Sequence, residues 1–311
     1  MNGTVAVTDY GWYQHLLAHP ELEEVNFWKP SASRPFAAPR LSPFFFKLKA
    51  PFNAICGFGY FADYSSLPDW LAWDTFQDGN GVGTLGELRT RIQGIRERIR
   101  FDGPASAEIG CILIASPVLF PQEEWVNQPA DWHARTVQHK AYDLSAGEGA
   151  RILEECLQRA PRLRPLPVRP AIGAELPGPR YGAPQVVAPR LGQGIFRIQV
   201  TDAYGRACAV TEEHSLPALE AAHIRPYGQD GPHEVRNGLL LRADLHRLFD
   251  LGYLGVSEDL QLLVSPRLRR EFSNGRSYYP LAGKPLTLPS DVALQPDPSY
   301  LAWHRESIYA A

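Results

Sequence analysis

Residues 219–252 read LEAAHIRPYGQDGPHEVRNGLLLRADLHRLFDLG. LEAAHIRPY (219–227) runs into a glycine-containing loop, QDGPHEVRNG (229–238), and LLLRADLHRLFDLG (239–252) follows. Asp244 is suited to cap a short helix there, and Gly252 to end it. A helix start wants a side-chain acceptor for orphan N–H groups, and a helix stop wants a residue free to turn left-handed. The expected order is strand, loop, strand, helix. Four of the nine histidines in the chain, His214, His223, His233 and His246, fall within or beside this stretch.

That density asks for a chemistry. A phosphodiester is an anion that resists attack, so its hydrolysis needs a base for water, a Lewis acid for developing charge, and fixed geometry. A hairpin followed by a helix can present one imidazole from its first strand and another from the helix. Through His223 in AAHIRP, Asn237 in RNGLLL and His246 in ADLHRLFD, the stretch resembles the HNH (ββα-metal) nucleases. The intervals, 223 to 237 and 237 to 246, are typical of that family, and the surrounding string looks like the HNH domains of McrA-like restriction enzymes. The resemblance covers about 205–255 and extends weakly to about 280.

The resemblance implies roles. His223 would be the general base, which suits an imidazole because it titrates near neutral pH. Asn237 would brace the loop and orient that base, although Asn237–Gly238 is also an ordinary turn dipeptide. His246 would be a metal ligand. Asp250 lies four residues later, so on a helix its carboxylate shares the face of His246 and offers a second ligand. The implied cofactor is a single divalent ion, Mg²⁺ first, with Mn²⁺ and Ni²⁺ as alternatives. His233 either touches phosphate, orients a neighbour, or is simply an exposed loop histidine. Two departures stand out. Many relatives carry a ligand immediately before the base histidine, where this chain has Ala222. Asp250, or less favourably Glu220, must then compensate, or water completes a loose site. Many relatives also carry a cysteine zinc site. Cys56, Cys111, Cys156 and Cys208 form no CxxC pair, so no structural zinc and no disulfide framework is expected.

The rest of the 311 residues bounds the setting. With 44% hydrophobic and 21% charged residues, the chain has enough apolar surface for two cores. No stretch approaches the roughly 18 apolar residues of a membrane span. The opening MNGTVAVTDYGWYQ has no basic and apolar leader pattern, so a cytoplasmic setting is expected. The net charge of −3 does not mark a nucleic-acid binder. Arginines nonetheless cluster at 159, 162, 164, 169, 180, 190, 197 and 206, and again at 89, 91, 96, 98 and 100. Such stripes either neutralise phosphates or are solvated surface. Proline-rich 159–190 reads as a semi-rigid linker, because proline removes a backbone donor and fixes φ. The expected division is a domain at 1–158, a Pro/Arg-rich linker at 159–192 and the nuclease domain at 193–311. No internal repeat is visible.

In the first domain, FFFKLKAP (44–51), NAICGFGYFADY (53–64) and EIGCILIASPVLF (108–120) read as strands. LGELRTRIQGIRERI (85–99) and SAGEGARILEECLQRA (145–160) read as helices, the latter with Ser145 as N-cap. The expected class is α+β, with a curved sheet or small barrel. In the second domain, GIFRIQVTDAY (194–204) fits helix or strand, and QLLVSPRLRREF (261–272) fits strand then helix.

VNFWKPS, FFFKLKAPFNAICGFGYF and LAWDTFQDGNGV resemble the amino-terminal half of predicted McrA-like restriction enzymes, whose modules often belong to the PUA superfamily with SRA, EVE and ASCH domains. That likeness implies a reader of modified bases. A flipped base needs aromatic walls and a few polar groups, for which Trp28, Lys47, Trp73 and Asn80 are the candidates; each aromatic is alternatively a core residue. The implied function is a modification-dependent restriction endonuclease acting on double-stranded DNA that carries a modified base. It would act as a homodimer, because one HNH centre cuts one strand. Its alternatives are a sequence-specific HNH endonuclease or nickase, and a non-catalytic DNA-binding protein with a degenerate HNH domain. RNA is a weaker substrate reading, since no RNP-type aromatic motif is present.

Overall fold

The computed structural model describes residues 1–104, 107–133, 136, 138–163 and 191–310, apart from the side chains of 162 and 163. The chain divides into two compact units, Met1–Arg190 and Leu191–Ala311. Both mix helices and strands, and the class is α+β.

Unit 1 runs β1 (Asn2–Thr8), α1 (Tyr10–Leu17), β2 (Glu24–Lys29), β3 (Pro43–Leu48), β4 (Ala54–Leu67), α2 (Asp69–Phe76), α3 (Leu85–Arg98), β5 (Ile109–Leu119), β6 (Val126–Asn127), β7 (His139–Asp143) and α4 (Gly147–Leu163). The sheet order is β2-β5-β4-β3-β1-β7, with β6 paired to β4. β1 and β3 pair in parallel; the other pairs are antiparallel. Among the described residues the pairing path is open, ending at β2 and β7.

β3 shows why the sheet reads as it does. Phe44, Phe46 and Leu48 enter one core together with Trp12, Tyr13 and Leu16 of α1, while Phe45 enters another with Ile152 and Cys156 of α4. A strand covered on both faces loses the polar alternation of a half-exposed one, hence FFFKL. In β4 the register shifts at Phe58/Tyr60 and at Phe61/Asp63, so the glycine-rich strand does carry irregularities.

Two expectations need correction. Ser145 is not the cap of α4: the helix begins at Gly147, and the Ser145 hydroxyl donates to Asp143 Oδ1 at 2.6 Å. The linker does not begin at residue 159 either, because α4 continues through Pro161 to Leu163. Proline penalises a helix interior, but Ile152, Leu153, Cys156, Leu157 and Ala160 form one apolar stripe against the sheet, and that packing carries the last turn. The remainder of the linker, 164–190, lies outside the described residues.

Unit 2 runs α5 (Gln193–Ala203), β8 (Leu219–His223), β9 (Gly238–Arg242), α6 (Ala243–Asp250), β10 (Leu254–Val256), β11 (Leu262–Val264), α7 (Arg267–Phe272) and α8 (Pro298–Ser307). The ambiguous 194–204 is helical. Ile195, Phe196, Ile198 and Val200 are all buried, and a helix buried nearly all round shows no clean apolar stripe. The cap of α6 is Arg242, without a side-chain bond, rather than Asp244, which sits in the first turn and pairs with Arg242 at 2.7 Å. Gly252, at φ +76°, follows the helix in the left-handed conformation expected of it. No described helix is long and apolar enough to cross a membrane. All four cysteines are buried thiols outside any disulfide.

Candidate functional site

The site is assembled on the β8–β9 hairpin and α6. The two strands pair antiparallel, with His223 opposite Gly238 and Leu219 opposite Arg242. On α6, Leu245 and Phe249 stand four residues apart and are buried, which fixes the helix on the hairpin. Burying two such side chains contributes about 1.5–3 kcal/mol each. One position later on the same helix, His246 and Asp250 are rotated out of that core to its edge. His223, His246 and Asp250 all line one cleft of about 380 Å³, together with Tyr227 and His304.

His246 sits between two carboxylates. Its Nδ1 is 2.6 Å from Glu220 Oε2, and its Nε2 is 3.4 Å from Asp250 Oδ2. A neutral imidazole that donates Nδ1–H to Glu220 presents an Nε2 lone pair toward Asp250, which is how a carboxylate fixes the tautomer of a ligating histidine. Burial raises the Asp250 carboxyl above its ordinary range, opposed by His246 and Arg247. Glu220 therefore enters the site through the imidazole, although Ala222 occupies the position next to His223.

His223 is held differently. Its ring stacks on Phe196 of α5 at 3.9 Å between centroids, and its Nε2 shares a 2.9 Å hydrogen bond with His233 Nδ1. The His233 ring in turn stacks on Tyr227 at 4.4 Å. Burial, then the neighbouring His233 and His246, depress the pKa of His223 to about 4, so the imidazole is neutral at physiological pH.

Asn237 is fully buried and does not line the cleft. Its Oδ1 accepts from Arg225 N at 2.9 Å, and its Nδ2 donates to the carbonyls of Arg225 and Pro232 at 2.9 and 3.0 Å. The backbone N–H of Ile224, next to His223, donates to the Asn237 carbonyl at 2.9 Å. Asn237 thus ties both ends of the 224–237 loop to the strand carrying His223. The following Gly238 is required by space rather than by turn geometry: a Cβ there would lie 2.5 Å from Val200 Cγ2 and 3.1 Å from Phe196.

His304 is a site residue that the sequence did not announce. It lies on α8, stacks on Phe249 at 3.7 Å, and donates Nε2–H to the Phe249 carbonyl at 3.1 Å. It comes far beyond His246 in the chain, and no spacing rule links them. His214 is not among the residues lining the cleft.

The four candidates in unit 1 fall into separate surroundings. Asn80 is fully buried, with Nδ2 bonded to the carbonyls of Ala72 and Gln77, Oδ1 accepting from Asn26, and its backbone carbonyl accepting from Trp28 Nε1 at 3.0 Å. Its amide is therefore engaged within the fold and does not offer itself to a base edge. Trp28 and Trp73 are half-buried on β2 and α2. Lys47 is buried on β3, donates to the Leu48 carbonyl at 3.0 Å and lies 5.1 Å from the Trp132 ring centroid; burial lowers its pKa. The arginine stripe of α3 is partly engaged too. Arg89 pairs with Asp69 at 2.8 Å, Arg91 lies 3.7 Å from Asp9, and Arg96 is buried with bonds to the carbonyls of Pro30 and Ala107.

The strand–loop–strand–helix unit thus turns two histidines and a helical carboxylate into one cleft. Residues 208–257 match the HNH_2 family model, described as HNH endonuclease, and this part of unit 2 is an HNH endonuclease domain. Nucleases of this family typically depend on a divalent metal. Among solved structures, the chain is similar to a modification-dependent TagI restriction endonuclease, at 26% identity over 38% of each chain and a TM-score of 0.30. It is also similar to ASCH from Zymomonas mobilis, at 11% identity over 49% of this chain and 94% of that one, with a TM-score of 0.32. A point mutant of the Zymomonas mobilis protein matches at 12% identity and a TM-score of 0.31, over 49% of this chain and 96% of that one. No curated protein matches the chain.

Proposed function

We propose that this protein is a modification-dependent DNA restriction endonuclease whose second unit hydrolyses the phosphodiester bond. The observation that carries the reading is the pairing, in one cleft, of a neutral half-buried imidazole with a histidine–carboxylate pair whose spacing suits a divalent ion. The donors fit a divalent ion. His246 Nε2 and Asp250 Oδ2 stand 3.4 Å apart, close to the separation of two ligands each about 2.1 Å from a shared ion, and the half-exposed cleft leaves room for water and phosphate oxygens. His246 and Asp250 would hold the ion, Mg²⁺ by preference, and it would act as a Lewis acid toward the scissile phosphate.

The protein's own groups do the rest. With His223 Nε2 bonded to His233, Nδ1 is the nitrogen that takes a proton from the attacking water. His233 holds the ring's tautomer, and Phe196 holds its plane. Glu220 orients His246 in the same manner, which answers the absence of a ligand at Ala222. Asn237 is a positioning residue acting through the 224–237 loop. Unit 1, as a PUA-like reader spanning about 1–158, would supply recognition of the modified base, and a homodimer would cut both strands.

The test is digestion of paired plasmids, modified and unmodified, by the full chain with Mg²⁺, Mn²⁺ or Ni²⁺. Cutting restricted to modified DNA, lost in His223→Ala with binding retained, supports the proposal. Equal cutting of both plasmids would replace it with an ordinary HNH endonuclease or nickase. Absence of cutting with every ion and substrate would leave a DNA-binding protein.

A further inference from the structure

We propose a second metal site, in unit 1, formed by His15, His19 and Asp78 and selective for a borderline divalent ion of the Zn²⁺ class. His15 lies in the last turn of α1, and His19 follows at i+4, where the chain still curls helically: the Ala18 N–H bonds back to Gln14, and the His19 N–H to Leu16. The two rings are 4.9 Å apart. Asp78 comes from the 3-10 turn Gln77–Asn80, and its Oδ1 lies 2.9 Å from His15 Nε2 and 3.8 Å from His19 Nε2. One donor atom from each residue falls within 4.8 Å of the others. Ligands about 2.1 Å from a tetrahedral ion stand about 3.4 Å apart, so the observed separations bracket the required one, and small side-chain rotations close the site.

A second observation points the same way. His19 Nδ1 is 3.1 Å from Glu21 Oε1. A neutral ring donating Nδ1–H there leaves the Nε2 lone pair facing the Asp78 carboxylate, an arrangement that a proton or a cation must mediate. This is the carboxylate–histidine pattern that orients ligating imidazoles. Two nitrogens and one oxygen favour Zn²⁺, Ni²⁺ or Co²⁺ over Mg²⁺ and Ca²⁺, which prefer all-oxygen shells. All three side chains are 20–40% exposed, so water can complete the shell. The expectation of no structural zinc rests on cysteine spacing, and an H-x₃-H pair with a distant aspartate escapes that rule. The bound ion would tie α1 to the turn whose Asn80 holds Trp28, stiffening this part of unit 1.

The alternative is a pair of protonated imidazoles at a helix C-terminus, held by carboxylates alone. Equilibrium dialysis of the chelator-stripped full chain against Co²⁺ or Zn²⁺, in excess Mg²⁺, separates the two. The wild type should bind one equivalent more than His15→Gln/His19→Gln, and His246→Ala should keep that equivalent. Glu21→Gln, a change at an exposed residue, should weaken it by about 10-fold or more. Equal stoichiometry in the wild type and the double variant overturns the site, as does unaltered affinity in Glu21→Gln. Should the double variant misfold by circular dichroism, His19→Gln alone serves, and it too must lose the equivalent.

Discussion

Burial of His304 should make the stability of unit 2 fall steeply below neutral pH. The side chain is 2% exposed, and Nδ1 has no hydrogen-bond partner. Burial depresses its pKa from 6.5 to about 4, only partly offset by the bond to the Phe249 carbonyl. Because the folded pKa lies below the unfolded one, protons bind the unfolded state more tightly. The stabilisation is complete above about pH 6.5 and is lost as pH falls toward 4. The depression corresponds to about 3 kcal/mol, a large part of the 5–15 kcal/mol typical of a domain. His304→Phe removes the titration and keeps an aromatic ring against Phe249. It removes one of two bonds to the Phe249 carbonyl, which still accepts from the Gly252 N–H at 3.0 Å, a pH-independent loss of about 0.5–1.5 kcal/mol. Urea unfolding of the full chain between pH 4 and 7.5, followed by peptide-resolved hydrogen exchange over α6 and α8, gives the stability of both proteins. The wild-type advantage should shrink by about 3 kcal/mol from pH 7 to pH 4. Subtracting one protein from the other cancels the contribution of His223, which titrates in the same range. A difference independent of pH would refute the argument, because it would mean His304 finds a partner for its second proton.

His223→Ala should lower single-turnover nicking by about 10²–10⁴-fold, the usual worth of a general base, with DNA retention on a gel unchanged. The acid limb of kcat/KM for the wild type should fall well below the ordinary imidazole value, since the base is depressed to about 4; a limb at the unshifted imidazole value would mean another group accepts the proton. Asn237→Ala removes three side-chain hydrogen bonds to the loop and should cost about 2–4 kcal/mol in unit 2 unfolding, with kcat falling more than KM rises. Gly238→Ala drives a methyl against Val200 and Phe196 and should cost about 1–3 kcal/mol, while lowering kcat because Phe196 is the plate under His223.

The hairpin and helix of unit 2 were legible in the sequence because local rules suffice there. Apolar runs on either side of a glycine-containing loop mark β8 and β9, and Asp244 near its start with Gly252 past its end bracket α6. The same locality let the i+4 relation place Asp250 beside His246. What failed was non-local or overridden by packing. His304 reaches the cleft by tertiary folding alone. Glu220, the less favoured of the two compensating carboxylates, reaches His246 across the strand–helix junction at 2.6 Å, a contact no linear interval encodes. Asn80 is a polar candidate for a base pocket by residue type alone, yet its side chain is buried and engaged where the turn packs onto Trp28 and Asn26. Pro161 reads as a helix breaker, and the apolar stripe of α4 outweighs it.

The arrangement of the cleft has a consequence for how its two halves can vary. The half proposed to hold a metal is set by one short helix, where the His246–Asp250 spacing follows from 3.6 residues per turn and the pose from Leu245 and Phe249. The half that carries His223 is set by Phe196 from α5, by the loop that Asn237 closes, and by the His233–Tyr227 stack. The halves meet through the His223–Gly238 and Ala222–Leu239 pairs of the hairpin. A residue such as Ala222 can therefore lose a ligand while the site keeps its shape, provided that a neighbour on the same strand reaches the helix. Glu220 does so, at 2.6 Å from His246. Had Glu220 been the sole carboxylate, the imidazole would have one oriented nitrogen and nothing opposite its lone pair. With Asp250 on the far side, the ring meets one carboxylate at each nitrogen, Glu220 at 2.6 Å and Asp250 at 3.4 Å.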